Sequence, residues 1–107
     1  MKSILIISDP EETPKTIEMM VKGACLMTRV GRLHYECIDD GIKYEFKSLA
    51  SADLADVDNI FTNWIEGRKF DSAFLTTNIN NKIPNTIKEI LLPSVKSGDF
   101  GIIGSWN

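Results

Sequence analysis

Hydrophobic residues in this chain occur in three patterns, and each predicts a different element. Unbroken apolar runs occupy residues 4–7 and 73–75, and a third run, interrupted by glycine, occupies residues 100–104. Runs without polar alternation are typical of strands that are covered on both faces, as in a parallel sheet. We therefore predict that the first two runs lie side by side at the centre of one sheet.

A strict alternation of apolar and polar residues follows in the segments 33–37 and 42–46. Asp39, Asp40 and Gly41 separate the two segments and are typical turn residues, so this region predicts a β-hairpin. One face of the hairpin is apolar and the other is charged. We expect the charged face, which carries His34 and Glu45, to be wet and the hairpin to lie at an edge of the sheet.

Helical spacing predicts three helices. The first begins at Thr13 and Pro14, runs through residue 29 and stops at Gly31. The second opens at residues 51–53 and ends at Gly67. The third begins at Pro84 and is interrupted by Pro93, because proline lacks an amide donor and crowds the preceding turn. Residues 78–82 are predicted to be a polar loop.

These elements follow one another in the order β-α-β-β-α-β-α-β. Strands that alternate with helices are typical of right-handed crossovers and of a sheet covered on both sides. The predicted fold class is α/β: a single three-layer α/β/α sandwich over residues 1–107, with a mixed five-stranded sheet made of a parallel core and an antiparallel hairpin.

Charge and composition narrow the classes of function. The 107 residues carry a net charge of −3, with 43% hydrophobic and 25% charged residues. An acidic balance disfavours direct nucleic-acid binding, which usually needs a basic face. No apolar run approaches the length of a membrane span. Cys25 and Cys37 lie in apolar contexts and are predicted to be buried free thiols, so we expect a cytoplasmic protein.

Polar side chains follow both central strands, where an open parallel sheet usually binds its ligand. Ser8, Asp9, Thr77 and Asn78 are the candidate ligand-binding residues there. No glycine-rich phosphate-binding turn follows the first strand. The acidic side chains of the first loop favour helix capping, although carboxylates opposite Thr77 or Asn78 also suit Mg²⁺. We expect no cofactor and no metal site.

Catalytic residues are not apparent in the pattern. His34 is the only histidine, and the alternation places it on the outer hairpin face. Both cysteines lie on packed faces, where burial opposes thiolate formation. Ser105 is not part of the nucleophile motif Gly-x-Ser-x-Gly. We therefore expect a protein that is not an enzyme and has no catalytic residues.

The leading hypothesis is a small acidic cytosolic binding or regulatory protein that acts through protein-protein contact. The candidate partner-binding residues are Lys43, Glu45, Asp39, Asp40 and Trp106. Trp106 either anchors a partner or folds back onto the sheet. The exposed hairpin edge also allows a homodimer. The alternative is a small-ligand or Mg-dependent enzyme domain with its site at the carboxyl ends of the parallel strands.

Overall fold

The computed structural model describes residues 1–21 and 27–104. It is an α/β fold with a mixed six-stranded sheet and five α-helices. The strands are β1 (Lys2–Ser8), β2 (Thr28–Gly31), β3 (His34–Asp39), β4 (Ile42–Ser48), β5 (Ser72–Thr76) and β6 (Phe100–Ile103). The helices are α1 (Thr13–Met20), α2 (Ser51–Leu54), α3 (Val57–Ile65), α4 (Thr77–Lys82) and α5 (Asn85–Leu91), and a 3₁₀ turn covers Leu92–Ser94.

The sheet has the strand order β2-β3-β4-β1-β5-β6. The four strands from β4 to β6 in this order are parallel, and β3 and β2 extend the sheet antiparallel from β4. As predicted, β1 and β5 are central neighbours, with Leu5 opposite Ala73. The apolar run of β1 occupies the position where both faces need cover.

Each face of the sheet has its own hydrophobic cluster. Leu5 and Ile7 of β1 join the larger cluster, which α3 and α5 complete with residues such as Phe61 and Ile87. Ile4 and Ile6 point to the opposite face, where partly buried side chains of α1 pack over Phe46 and Tyr44. Successive strand residues therefore serve different clusters, as the pleat requires.

The prediction of five strands and of a first helix through residue 29 was wrong. Helix α1 ends at Met20, and Val21 adopts an extended conformation. Thr28–Gly31 forms the extra strand, with Thr28 opposite Glu36 and Arg29 opposite Tyr35. Tertiary pairing with β3 prevails there over the helical spacing, and the β-branched Thr28 and Val30 suit a strand. The five-stranded three-layer sandwich is therefore not reproduced.

Two further boundaries differ from the prediction. The second helix is divided into α2 and α3, because Asp56 leaves helical geometry at φ −132° and ψ 34°. The prediction of a loop over residues 78–82 was wrong, because all of these residues lie in α4. The interruption at Pro93 is confirmed, since α5 gives way there to the 3₁₀ turn.

The hairpin turn has the predicted chemistry. Asp40 and Gly41 both have positive φ, 51° and 76°, as a two-residue type I′ turn requires. Cys37 is buried, as predicted, whereas Cys25 and Trp106 lie outside the described residues. Within residues 1–21 and 27–104, no helix has the length and apolar character needed to cross a bilayer.

Candidate functional site

The four residues predicted to bind a ligand lie together at the carboxyl ends of β1 and β5. Ser8 and Asp9 are buried, and Thr77 and Asn78 are half-buried. The side chain that joins the two strand ends is Glu12, which is only 5% exposed. The sequence predicts Glu12 at this edge of the sheet and favours a role in helix capping, but it does not predict the hydrogen bonds that Glu12 makes to the end of β5.

Glu12 accepts hydrogen bonds from both sides of this crevice. Its Oε1 accepts from Thr76 Oγ1 at 2.7 Å and from the Asp9 amide at 3.3 Å, and its Oε2 accepts from Asn78 Nδ2 at 3.1 Å. Both carboxylate oxygens of Asp9 accept from Lys82 Nζ at 3.0 Å. Thr77 donates to the carbonyl of Ile103 at 2.9 Å. These side chains therefore hold the strand ends together.

A hollow of about 270 Å³ lies beside the first loop, and its walls include Pro10, Thr13 and Ser48 but none of the four predicted residues. Ser8 instead shares hydroxyl hydrogen bonds with Thr13, which also bonds Ser48. Ligand binding by the strand-end group stays a prediction. Within the described chain, no three acidic, histidine or cysteine side chains converge as a metal site would require.

A larger cavity, of about 490 Å³, opens on the charged face of the hairpin. We call it the hairpin cleft. Its charged lining residues are Arg32, Glu36, Lys43, Glu45, Lys47 and Arg68. The remaining wall consists of Val30, Gly31, His34 and Trp64. The volume lies within the usual range for small-ligand sites.

Strand register explains why this face is enclosed. Glu45 and Lys47 of β4 lie opposite Leu5 and Ile7 of β1, so they share the sheet face on which α3 packs. Trp64, near the end of α3, packs against the same cluster and stands edge-on to the His34 ring at 5.4 Å. The hairpin face is therefore the floor of a cleft whose wall is the end of α3.

The prediction that His34 and Glu45 are exposed was therefore wrong. His34 is 8% exposed and Glu45 is 4% exposed. Lys43 and Glu36 remain half-buried and form a cross-strand ion pair at 3.4 Å. Period-two spacing identified the side chains of this face, but their burial depends on α3, which is distant in sequence.

The Glu45 carboxylate contacts three basic side chains of the cleft. His34 Nε2 donates to Glu45 Oε2 at 2.9 Å, Arg68 donates to the same oxygen, and Lys43 Nζ lies 3.6 Å from Oε1. Burial raises the pKa of Glu45, but the His34 hydrogen bond and the charges of Arg68, His34 and Lys43 outweigh it, so its pKa lies below the ordinary value. Glu45 is therefore held as a carboxylate.

Arg68 is held over aromatic rings at the cleft wall. Its guanidinium carbon lies 4.6 Å from the Trp64 ring centroid and 5.6 Å from that of Phe70. Its Nε is buried and finds no hydrogen-bond partner among the described residues. A buried donor without a protein partner is rare, and the aromatic contacts of the guanidinium hold it in this position.

Lys47 is the second unusual cation. The side chain is buried, and Nζ donates to the carbonyl of Arg32 at 3.2 Å. Burial, assisted by the charge of Arg32 and opposed by that of Asp53, lowers the pKa of Lys47. Asp53 is committed elsewhere, to Arg32 at 2.7 Å and to the amide of Ala50 at 2.8 Å.

The geometry supplies a concave site with four basic and two acidic side chains on a protein whose net charge is −3. Cations in a partly desolvated cleft favour an anionic ligand. Sequence reasoning missed Arg32, Lys47, Trp64 and Arg68 as site residues, because they come from separate elements. In comparisons with known proteins, no protein-family model matches this chain and no curated protein is significantly similar to it.

Proposed function

We propose that this protein is a small binding protein that takes up a small organic carboxylate in the hairpin cleft. The observation that carries the proposal is the concentration of Arg32, Lys43, Lys47 and Arg68 around one cavity of about 490 Å³. Elsewhere the chain carries acidic residues in excess, so the cleft is the place where an anion meets a favourable field.

Internal pairing supports a preformed site. Glu45 holds His34 and Arg68 through hydrogen bonds. Because these side chains are already ordered, ligand binding does not incur the entropic cost of ordering them. Glu45 neutralises part of the positive charge, and the remaining cations exceed the acidic groups of the wall. The Arg68 side chain is about one third exposed, so its guanidinium remains within reach of a ligand carboxylate.

Fluorescence of Trp64 offers a direct test. The chain has two tryptophans, so a Trp106→Phe background leaves Trp64, on the cleft wall, as the reporter. Titration with acetate, lactate and benzoate should shift its emission in a saturable way, and isothermal titration calorimetry should give the same affinity. Salt should weaken the binding, because exposed charges are screened.

Arg68→Gln should weaken binding about tenfold, which corresponds to the loss of one charge-assisted hydrogen bond. Lys15→Gln, which removes an exposed charge on α1, is the matched control and should bind as the parent does. Absence of saturable binding for every carboxylate would refute the proposal, as would equal affinities in parent and Arg68→Gln.

A second candidate function is contact with another protein chain, as the sequence suggested. All four residues of β2 are exposed, and β2 is an edge of the sheet. An exposed edge strand pairs readily with another strand, either of a partner or of a second copy. Lys43, Asp39 and Asp40 lie on the adjoining hairpin. In this second proposal, the protein is a cytoplasmic regulator that acts by binding its partner.

Sedimentation equilibrium tests the homodimer. If β2 mediates self-association, Val30→Pro should give a monomer, because proline removes a strand donor. Thr28→Ser leaves the backbone donor in place and is the control. If the parent protein stays monomeric at high concentration, the homodimer proposal is refuted. Affinity capture with the parent protein and with Val30→Pro as baits would then test whether β2 binds a different protein.

A further inference from the structure

Lys47 differs from an ordinary surface lysine in both burial and partners. The residue is 8% exposed, lines the hairpin cleft and donates to a backbone carbonyl. Within the part of the chain that the structure describes, its ammonium forms no ion pair with a carboxylate. Glu45, two residues away on the same face, is engaged with His34 and Arg68.

The surroundings of Lys47 make its ammonium group easier to deprotonate than that of an exposed lysine. Desolvation lowers its pKa, because removal from water penalises the charged form, and the Arg32 charge acts in the same direction. A neutral amine has a free lone pair and is a nucleophile, which is why lysines that form Schiff bases are commonly desolvated or placed beside other cations.

The same cleft contains groups that would hold a carboxylate near this amine. His34 is the cross-strand partner of Lys47, and directly opposed side chains in an antiparallel pair stand on one face as neighbours. Lys43 and Arg68 lie further along the cleft. An anion bound by these residues therefore lies within one small cavity with the amine of Lys47.

We propose that Lys47 forms a reversible imine with a 2-oxo carboxylate bound in the hairpin cleft. This inference rests on the proposed function and adds the chemical class of the ligand. The Lys47 nitrogen bonds to the ketone carbon of the ligand, and the carbonyl oxygen leaves as water with the two amine protons. The carboxylate of the ligand is not consumed and stays paired with the cations of the cleft.

Reductive trapping tests the imine. The intact protein is incubated with pyruvate and sodium cyanoborohydride, whose hydride reduces the imine to a secondary amine and leaves a carboxyethyl group on the lysine. Peptide mass spectrometry then compares Lys47 with the other eight lysines of the chain. Lys47 should be modified at least about tenfold faster than the exposed Lys15, as expected for a larger neutral fraction and a bound reagent.

Variants and an unreactive analogue separate this inference from the proposed function. Lys47→Arg keeps a cation but forms no stable imine, so trapping at position 47 should vanish. Calorimetry with lactate on the parent protein tests the anion site separately from the imine. Lactate has a hydroxyl in place of the ketone and should slow trapping at Lys47 in the parent. Circular dichroism of Lys47→Arg checks that the variant folds. The comparison of the trapping rates of Lys47 and Lys15 uses only the parent protein, so it does not depend on the variant.

Each outcome decides between the two proposals. If lactate binds but Lys47 is modified no faster than Lys15, the imine is overturned and the anion site stands. If neither lactate nor pyruvate binds, both proposals fall. Trapping at Lys47 that lactate does not slow would show that the cleft does not direct the reaction, and would overturn the inference as stated.

Discussion

His34 donates its Nε2 hydrogen to Oε2 of Glu45 across the hairpin, at 2.9 Å, and both side chains are buried. The pair joins β3 to β4 on the face that α3 covers. Arg68, from the chain after α3, bonds to the same carboxylate oxygen. One carboxylate thus links the hairpin to the helical layer, and the cleft depends on it.

Replacement of Glu45 by glutamine should destabilise the protein at neutral pH by about 2 kcal/mol, because a charged acceptor of two hydrogen bonds is lost. The pKa of Glu45 is depressed in the folded state, so its stabilisation is present above the ordinary value of 4.5 and is lost as the pH falls through the folded value. Urea denaturation between pH 7 and pH 3 should therefore show a steeper loss for the parent than for Glu45→Gln. Glu36→Gln is the matched control, since Glu36 is half-buried and pairs with Lys43 at the margin. Parallel curves for parent and Glu45→Gln would contradict the assignment.

Replacement of Lys47 by methionine should stabilise the protein by about 1 kcal/mol at pH 7, because a buried ammonium without a contacting carboxylate is exchanged for an apolar side chain of similar length. The folded pKa is lowered, so the unfavourable contribution of Lys47 is complete below that value and disappears as the pH approaches the unfolded value of 10.5. Thermal unfolding at several pH values should show the gap between parent and variant closing toward alkaline pH. Lys15→Met changes an exposed position, so its unfolding temperature should stay close to that of the parent at every pH. A destabilised Lys47→Met would show that its bond to the Arg32 carbonyl outweighs desolvation.

Gly101 lies against the ring of Phe74, its parallel partner on β5. A methyl group added to Gly101 would overlap two ring carbons of Phe74, so the ring or the strand has to move. We expect Gly101→Ala to cost about 1 to 3 kcal/mol in urea denaturation. Gly104→Ala is the matched control, because its added methyl group meets no heavy atom of residues 1–21 and 27–104 within 4 Å. Equal stability of the two variants would contradict the close packing of β5 and β6.

Glu12 joins the ends of β1 and β5, and its replacement tests whether this contact is structural. Glu12→Gln places an amide nitrogen against donors from Thr76 or Asn78, so we expect a loss of about 1 to 3 kcal/mol. Glu11→Gln, at the exposed neighbouring position, should change stability little. Denaturation curves of the two variants provide the measurement. A Glu12→Gln protein as stable as the parent would show that the strand ends do not depend on this carboxylate.

The sequence alone determined the central sheet and the hairpin. Residues 4–7 and 73–75 have no polar face, so wherever they fold they need cover on both sides, and the structure places them as β1 and β5 in the middle of the sheet. The turn at Asp40 and Gly41 is likewise local, because its positive φ values depend on the residues themselves. Such features need no knowledge of distant segments.

Only the tertiary structure decided where the charged hairpin face lies and what it contacts. Alternation assigns Glu45 and Lys47 to one face but cannot tell whether solvent or a helix covers that face. The position of α3 brings Trp64 to the cleft, and the turn after it brings Arg68 to Glu45, although these residues are distant along the chain. The strand β2 was missed for a different reason. Its backbone groups pair with β3 across a short turn, from Gly31 opposite His34 to Thr28 opposite Glu36, and this pairing to the edge of the assembled sheet prevails over the helical pattern.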